Sequence, residues 1–187
     1  MRNPYIVGKH VYLRTLEEAD ARGEWYEWFS DIETTKYMSD RYWPNSEEEQ
    51  VEFQQSLKGR DRLALAVVDI ETDKHIGVAS LAALNWVHRY GDVALVIGDK
   101  EFRKGAYAFE TLSLMLKIAF LKLNLRNVKG SYVKGNEFTE TLLKVMRFKT
   151  IGSFEGLCWV DGDWRDVVYG CLGQDDWMKR NGHDQSA

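Results

Sequence analysis

The chain has little proline and little cysteine, two of each in 187 residues. So few prolines argue against proline-rich linkers and extended disorder. Cys158 and Cys171 are too few for a disulfide framework, and no His or Cys spacing suggests a zinc or other metal site. Their plain reading is two small, half-buried residues. No apolar run is long enough to span a bilayer. The richest window, Leu112 to Leu125, is broken by Lys117 and Lys122. The first residues, Met1-Arg2-Asn3-Pro4-Tyr5, lack an apolar signal core. A cytoplasmic protein with no membrane partner is therefore expected. Positive charge is not in excess either: 25 Lys and Arg face 29 Asp and Glu, a formal charge of −4. Sequence-independent nucleic-acid binding has little electrostatic support from that balance.

What the chain does have is apolar and aromatic mass: 44% hydrophobic residues and seven Trp. That suits one domain with a full-sized core. Alternation at Val11 and Leu13 predicts a strand over 9–14. Thr15 with Glu18, and Ser46 with Glu49, have capping-box spacing and predict two helix starts, the second helix closing at Gly59. Three strands follow, at Arg62–Asp69, His75–Leu84 and Asp92–Ile97, with short links that suggest an antiparallel meander. A long helix runs to about Leu123 on the stripe Leu112, Leu116, Ala119, Leu123. Then come a strand at Asn127–Val133, a helix marked by Phe138, Leu142 and Val145, and two strands at Phe148–Phe154 and Trp164–Leu172. The order is β-α-α-β-β-β-α-β-α-β-β, in an α+β fold. No repeat or linker divides residues 1–179, which reads as one domain, and 180–187 reads as a polar tail.

Residues 98–108 carry the chemistry. A strand ends at Gly98, a short basic turn follows, and a helix starts at about Ala106 to Ala108. Such a turn aims backbone N–H groups outward at a helix N-terminus, where the dipole favours an anion. Gly105 and Ala106 let a ligand approach the backbone, while Arg103 and Lys104 supply charge suited to phosphate. One small-residue turn is weak evidence, so the turn alone reads more readily as a basic surface turn before a core helix than as a pyrophosphate site.

The order of elements and this turn resemble the GNAT N-acetyltransferase superfamily. The closest likeness is to its ribosomal-protein N-terminal acetyltransferases and the related sugar, polyamine and drug acetyltransferases. That branch's loop reads Arg/Gln-x-x-Gly-x-Gly/Ala, and Arg103, Ala106 and Ala108 stand in those places. Ala106 replaces the usual Gly, and Gly105 lies one place early. Tyr107 and Glu110 match the loop's continuation, and Asn136 and Thr139 match an Asn-x-x-Ser helix start. Arg147-Phe148 stands at the branch's Gly-Phe. Asp161, Gly162 and Asp166 fit an Asp-Gly-x-x-x-Asp pattern. Leu13-Arg14 and Trp28-Phe29-Ser30-Asp31 match the branch's opening.

The resemblance implies a central, mostly antiparallel mixed sheet of about seven strands flanked by helices. It implies acetyl transfer from acetyl-CoA to a primary amine of a small molecule or a protein N-terminus. The alternative is a non-catalytic acyl-CoA-binding module. The implied cofactor residues are Arg103, Lys104, Gly105, Ala106, Tyr107, Ala108, Asn136 and Thr139. Val96 and Ile97 would contribute backbone groups to the pantetheine arm and to the thioester oxygen.

Asp92 holds the position of the family's base, with Asp99, Glu101 and Glu110 as rivals and Glu110 better read as structural. Leu143 stands where relatives carry an acid Tyr, which leaves Tyr132 as a stand-in or as a packed aromatic. The acceptor would meet the first two helices, with Trp25, Trp28, Phe29, Tyr37 and Trp43, and the loop holding Trp86, His88 and Tyr90. Trp28, Trp86 and Tyr90 are the named candidates. Glu17, Glu18, Glu24, Glu27, Asp31 and Glu33 could attract a cationic amine or form a solvated face. The implied partner is an amine acceptor, with a homodimer left open.

Overall fold

The computed structural model describes residues 1–57 and 59–182. Eight strands form one sheet: β1 (Ile6–Val7), β2 (Val11–Thr15), β3 (Leu63–Asp69), β4 (His75–Asn85), β5 (Tyr90–Ile97), β6 (Asn127–Val133), β7 (Lys149–Val160) and β8 (Asp163–Gly173). Their order is β1-β2-β3-β4-β5-β6-β8-β7. Every neighbouring pair is antiparallel except β5–β6. The mostly antiparallel mixed sheet is the expected one, with eight strands instead of about seven. The extra strand is β1, whose two residues are too short to show an alternation and which pairs Ile6 with Leu13.

Alternation along β3 divides the core. Leu65 and Val67 face a cluster with Leu13, Leu112 and Met115, below helix α5. Ala64, Ala66 and Val68 face a second cluster with Tyr12, Trp25, Trp28 and Val51. Both faces are covered, so β3 reads as a continuous apolar run. The second face carries α1 (Glu18–Ala21), α2 (Glu24–Ser30), α3 (Ile32–Thr35), a 3₁₀ turn at Ser39–Tyr42 and α4 (Glu47–Ser56). The first face carries α5 (Gly105–Lys117), continued as a π segment over Ile118–Lys122, and α6 (Glu137–Val145). Helix α7 (Gln174–Asn181), absent from the expected order, extends two residues beyond the domain end read at 179. Of the expected tail, residues 183–187 lie outside the described residues.

The two capping boxes fare differently. Ser46 Oγ accepts the Glu49 N–H at 3.1 Å, and Glu49 accepts the Ser46 N–H at 3.2 Å, as its spacing predicts. Helix α4 nonetheless ends at Ser56, before Gly59. Thr15 caps nothing, because it stays in β2 opposite Leu65. Helix α1 starts instead from Glu17, whose N–H donates to Asp20 at 2.7 Å. At the far edge, the two-residue turn Asp161-Gly162 joins β7 to β8 with positive φ at both positions (51° and 85°), the twist that suits a hairpin.

Asp20 anchors the helical face to the sheet. It accepts two hydrogen bonds from Arg14 of β2, at 2.7 and 2.8 Å, with both residues buried. His75 Nδ1, at the start of β4, lies 3.3 Å away, and its Nε2 contacts the Gly77 carbonyl at 2.8 Å. Burial pushes the His75 imidazole below its usual value, against the pull of Asp20. Burial alone would raise the Asp20 carboxyl, but the Arg14 hydrogen bonds, His75 and the Glu17 N–H outweigh it and hold it below the usual range.

Because the folded value is depressed, this contribution is present above the unfolded carboxyl value of about 3.9. It is lost as pH falls through the folded value. Asp20→Ala should therefore cost about 3 kcal/mol at neutral pH, since it leaves Arg14 buried and unpaired. The gap from wild type should narrow below about pH 4. Urea denaturation at both pH values checks this, and equal stabilities at pH 7 would refute it.

Candidate active site

The site begins where a ladder stops. Strands β5 and β6 pair only at Tyr90–Asn127, Gly91–Val128 and Asp92–Lys129. Beyond them β5 stays with β4 through Ile97, while β6 stays with β8 through Val133. The wedge between the diverging strands holds a cavity of about 660 Å³, lined by Val93–Ile97 on one side and Gly130–Val133 on the other. Ala108 and Leu112 of α5, with Leu142 and Leu143 of α6, close its apolar wall.

The ladder pattern decides which backbone groups of β5 face this wedge. On one side, Gly98 N–H donates to the Ile76 carbonyl at 2.9 Å. On the other, Arg126 N–H donates to the Arg89 carbonyl at 2.6 Å. Alternate strand residues aim their amides at opposite edges. Ala94 and Val96 therefore face Ser80 and Val78 on β4, whereas Val93, Leu95 and Ile97 face the wedge. Adjacent residues cannot both do so. Of the expected pair, Ile97 fits and Val96 does not as a backbone donor; Leu95 takes its place.

The turn after β5 contains a 3₁₀ segment, Lys100–Phe102, and α5 starts at Gly105. Arg103 folds back: its guanidinium donates to the Ile97 carbonyl at 3.2 Å, to the Gly98 carbonyl at 2.9 Å and to Thr34 Oγ1. It thereby ties the end of β5 to α3. Lys104 lines the cavity from the N-cap position and makes no side-chain cap bond. Gly105 and Ala106 begin the helix, where amides lack intrahelical partners. A Cβ added at Gly105 would meet nothing within 4 Å, so a ligand can approach there.

Tyr107 turns its ring away, edge-on to Phe102 at 5.3 Å and 6.2 Å from His10. Burial, then the nearby Asp69, pushes its phenol up. Its side chain belongs to packing.

Asn136 caps α6, its Oδ1 accepting the Thr139 N–H at 3.1 Å, and both residues line the wedge. Gly135 has φ +101°, and its carbonyl accepts the Tyr37 hydroxyl at 2.8 Å. Tyr132 also lines the wedge. Burial first, and Glu140 second, raise its phenol above the usual value. Leu143 is buried in the same wall and has no proton to give.

A second cavity, again about 660 Å³, opens on the opposite face, between α2, α4 and strands β3–β5. Small side chains on that face (Ala64, Ser80, Ala82, Ala94) leave the space, and Trp25, Phe29, Trp43 and Phe53 wall it. Four residues, Met38, Ala94, Leu95 and Val96, line both cavities. The two spaces therefore adjoin the same free part of β5.

Asp92 points to the same face as Ala94 and Val96, about 7 Å along the strand from Ala94, and lines neither cavity. Lys129 Nζ lies 2.8 Å from its carboxylate and 4.8 Å from the centre of the Tyr90 ring. Asp92 above all raises the Lys129 ammonium. The rival Asp99 pairs with Lys74 at 2.6 Å. Glu110 receives the backbone N–H groups of Lys9 and His10, a structural position.

All three named acceptor residues lie outside the second cavity. Trp28 is buried over Gly98, where an added Cβ would fall 1.9 Å from its indole, and packs 4.9 Å from His75. Trp86, on the β4–β5 hairpin, donates Nε1 to the Arg60 carbonyl at 2.8 Å. Tyr90 is held under Lys129. Among the residues that line the cavity but went unread are Met38, Phe53 and Ser80. The signal for them is the small-residue face of β4, Val78-x-Ser80-x-Ala82, which leaves a void that Phe53 and Met38 border.

The family model described as an acetyltransferase (GNAT) domain matches residues 10–149. No curated protein gives a significant match. Among solved structures, spermidine N-acetyltransferase from Vibrio cholerae, in complex with CoA and spermine, superposes with a TM-score of 0.84 at 20% identity. The match covers 91% of this chain and 99% of that one. A GNAT-family acetyltransferase from Bacillus anthracis superposes at 0.77 with 20% identity, covering 91% of this chain and 98% of its own. At these identities the likeness is one of fold.

Proposed function

The chain belongs to the GNAT acetyltransferase family, and from that premise we propose that the two cavities bordering β5 are the donor and acceptor sites of an N-acetyltransferase. Acetyl-CoA is the acyl donor, and the acceptor is a primary amine of a small molecule or peptide. The observation that carries this reading is the sharing of Met38, Ala94, Leu95 and Val96 by both cavities. A thioester laid along β5 in the wedge would meet an amine arriving from the other face. The similar spermidine N-acetyltransferase that is in complex with CoA and spermine shows that this fold can hold a CoA and an amine.

The pyrophosphate would sit at Lys104, Gly105 and Ala106, where the free amides of Gly105 and Ala106 and the Lys104 ammonium converge, with Ala108 in the wedge wall beside them. Arg103 acts by fixing the turn. The amide edge of Leu95 and Ile97 would pair with the pantetheine arm as an added strand and face the thioester oxygen as charge develops there. The amine nitrogen attacks the thioester carbon, the C–S bond breaks, and CoA leaves as thiolate. The amine's proton passes through water to Asp92. The thiolate leaves unassisted, because a thiol pKa of about 8.5 makes it a good leaving group. Tyr132 shares its hydroxyl with Glu140 and stays protonated.

Residues 1–179 form the acyltransferase domain in this reading. Cys158 and Cys171 are free thiols, which fits a reducing compartment such as the cytoplasm. No described helix is long and apolar enough to cross a membrane. A homodimer would use edge strand β7, which exposes Ile151, Phe154 and Trp159.

Free CoA thiol released from acetyl-CoA in the presence of amines tests the function. Lys104→Glu should weaken acetyl-CoA binding by about tenfold, or 1.4 kcal/mol; unchanged affinity by calorimetry would remove the pyrophosphate from this turn. Asp92→Asn should lower turnover by about a hundredfold with cofactor affinity intact. That loss should shrink as pH rises and more amine is already neutral. Wild-type turnover at neutral pH would take the proton elsewhere. Acetyl-CoA binding with no turnover on any amine would favour the binding-module reading.

A further inference from the structure

We infer that the acceptor is a monoamine with an aromatic or bulky apolar body, and not a linear polyamine. The inference rests on the acetyl-transfer reading of the two cavities and comes from how charge is distributed around the second one. The acidic helical face looks suited to a polycation in sequence, yet several of its carboxylates already have cationic partners. Arg22 pairs with Glu18 at 2.9 Å and Glu47 at 2.7 Å. Lys74 takes Glu24 at 3.4 Å, and Lys100 takes Asp31 at 3.2 Å. None of these four acids lines the second cavity.

Its lining holds two carboxylates, Asp40 and Glu49, and one guanidinium, Arg62. Two negative charges less one positive leave a single negative charge, which matches one ammonium. A polyamine would bring at least two more ammonium groups without partners, and a desolvated unpaired charge is costly.

The walls point the same way. Trp25 packs edge-on against Phe53 at 5.8 Å and Phe29 at 6.3 Å. Trp43 stands at the mouth, 78% exposed. Across from the rings, Ser80 and Ala94 sit side by side on β4 and β5, so the floor is low enough to admit a ring. Asp40 and Glu49 are exposed and would draw in the cationic amine. Moving it on into the apolar interior would then lower its pKa, giving the neutral nitrogen that thioester attack needs.

The test is a thiol-release assay comparing phenethylamine and tryptamine with spermidine and spermine. The arylalkylamines should show kcat/KM at least about tenfold higher. Equal or higher values for the polyamines would overturn the inference. Phe53→Ala should lower kcat/KM for phenethylamine by about tenfold while acetyl-CoA affinity, read by calorimetry, stays at the wild-type value. An unchanged kcat/KM would also overturn it. If no amine turns over, acetyl transfer fails as a reading. The cavity's preference is then read by calorimetric titration of phenethylamine and spermidine into the CoA-saturated protein, and tighter spermidine binding, or binding of neither amine, would overturn the inference by itself.

Discussion

Three residue pairs of parallel ladder, and then none, constrain everything around β5. A strand edge that leaves its ladder presents amide groups that must find partners or water. Here that edge lines the wedge walled by α5 and α6, where an extended ligand backbone can supply the missing bonds. Because Ala94 and Val96 keep their bonds to β4, the strand stays straight while its other edge is free. The same residues present small side chains to the opposite face, where the second cavity begins. One short stretch therefore borders both cavities, through backbone on its edge and through reduced bulk on its face.

Such an edge is useful only if it is held still. Three contacts fix its distal end. Trp28 covers Gly98 so closely that no side chain fits there. His75 lies beneath that indole and is tied through Asp20 to Arg14. Arg103 binds the last carbonyls of the strand and reaches α3. The buried cluster that anchors the helical face is thus continuous with the support of the open edge. This explains why a conspicuous Trp in the first helices is structural: its size is used to immobilise a glycine at the end of β5.

Much of the architecture is legible in sequence because the signals are local. Apolar runs bounded by turns locate β3 to β8, and the Ser46–Glu49 box locates α4. Thr15–Glu18 has the same spacing and misleads, since β2 needs Thr15 for its pairing with β3 and the cap passes to Glu17. Strand β1 and helix α7 escape because one is two residues long and the other is polar. In the site, the position of the turn at 103–108 is legible. The direction of each side chain is not: Arg103 bonds the last carbonyls of β5 while still lining the wedge, Tyr107 packs on Phe102, and Lys104 lines the wedge from the N-cap position. The expectation for Val96 with Ile97 ignores strand alternation, a rule available from sequence alone. The second cavity is only partly legible: Trp25, Phe29 and Trp43 catch the eye and do wall it, but the space itself is marked by small residues such as Ser80 and Ala94.

Residue-resolved amide hydrogen exchange with and without acetyl-CoA tests the open edge of β5 most directly. Leu95 and Ile97 should exchange at least about tenfold more slowly in the complex, because their N–H groups gain bonds only from the ligand. Ala94 and Val96, already bonded to β4, should change little. Saturating acetyl-CoA with no added protection at Leu95 and Ile97, or with protection confined to another strand, would contradict the account.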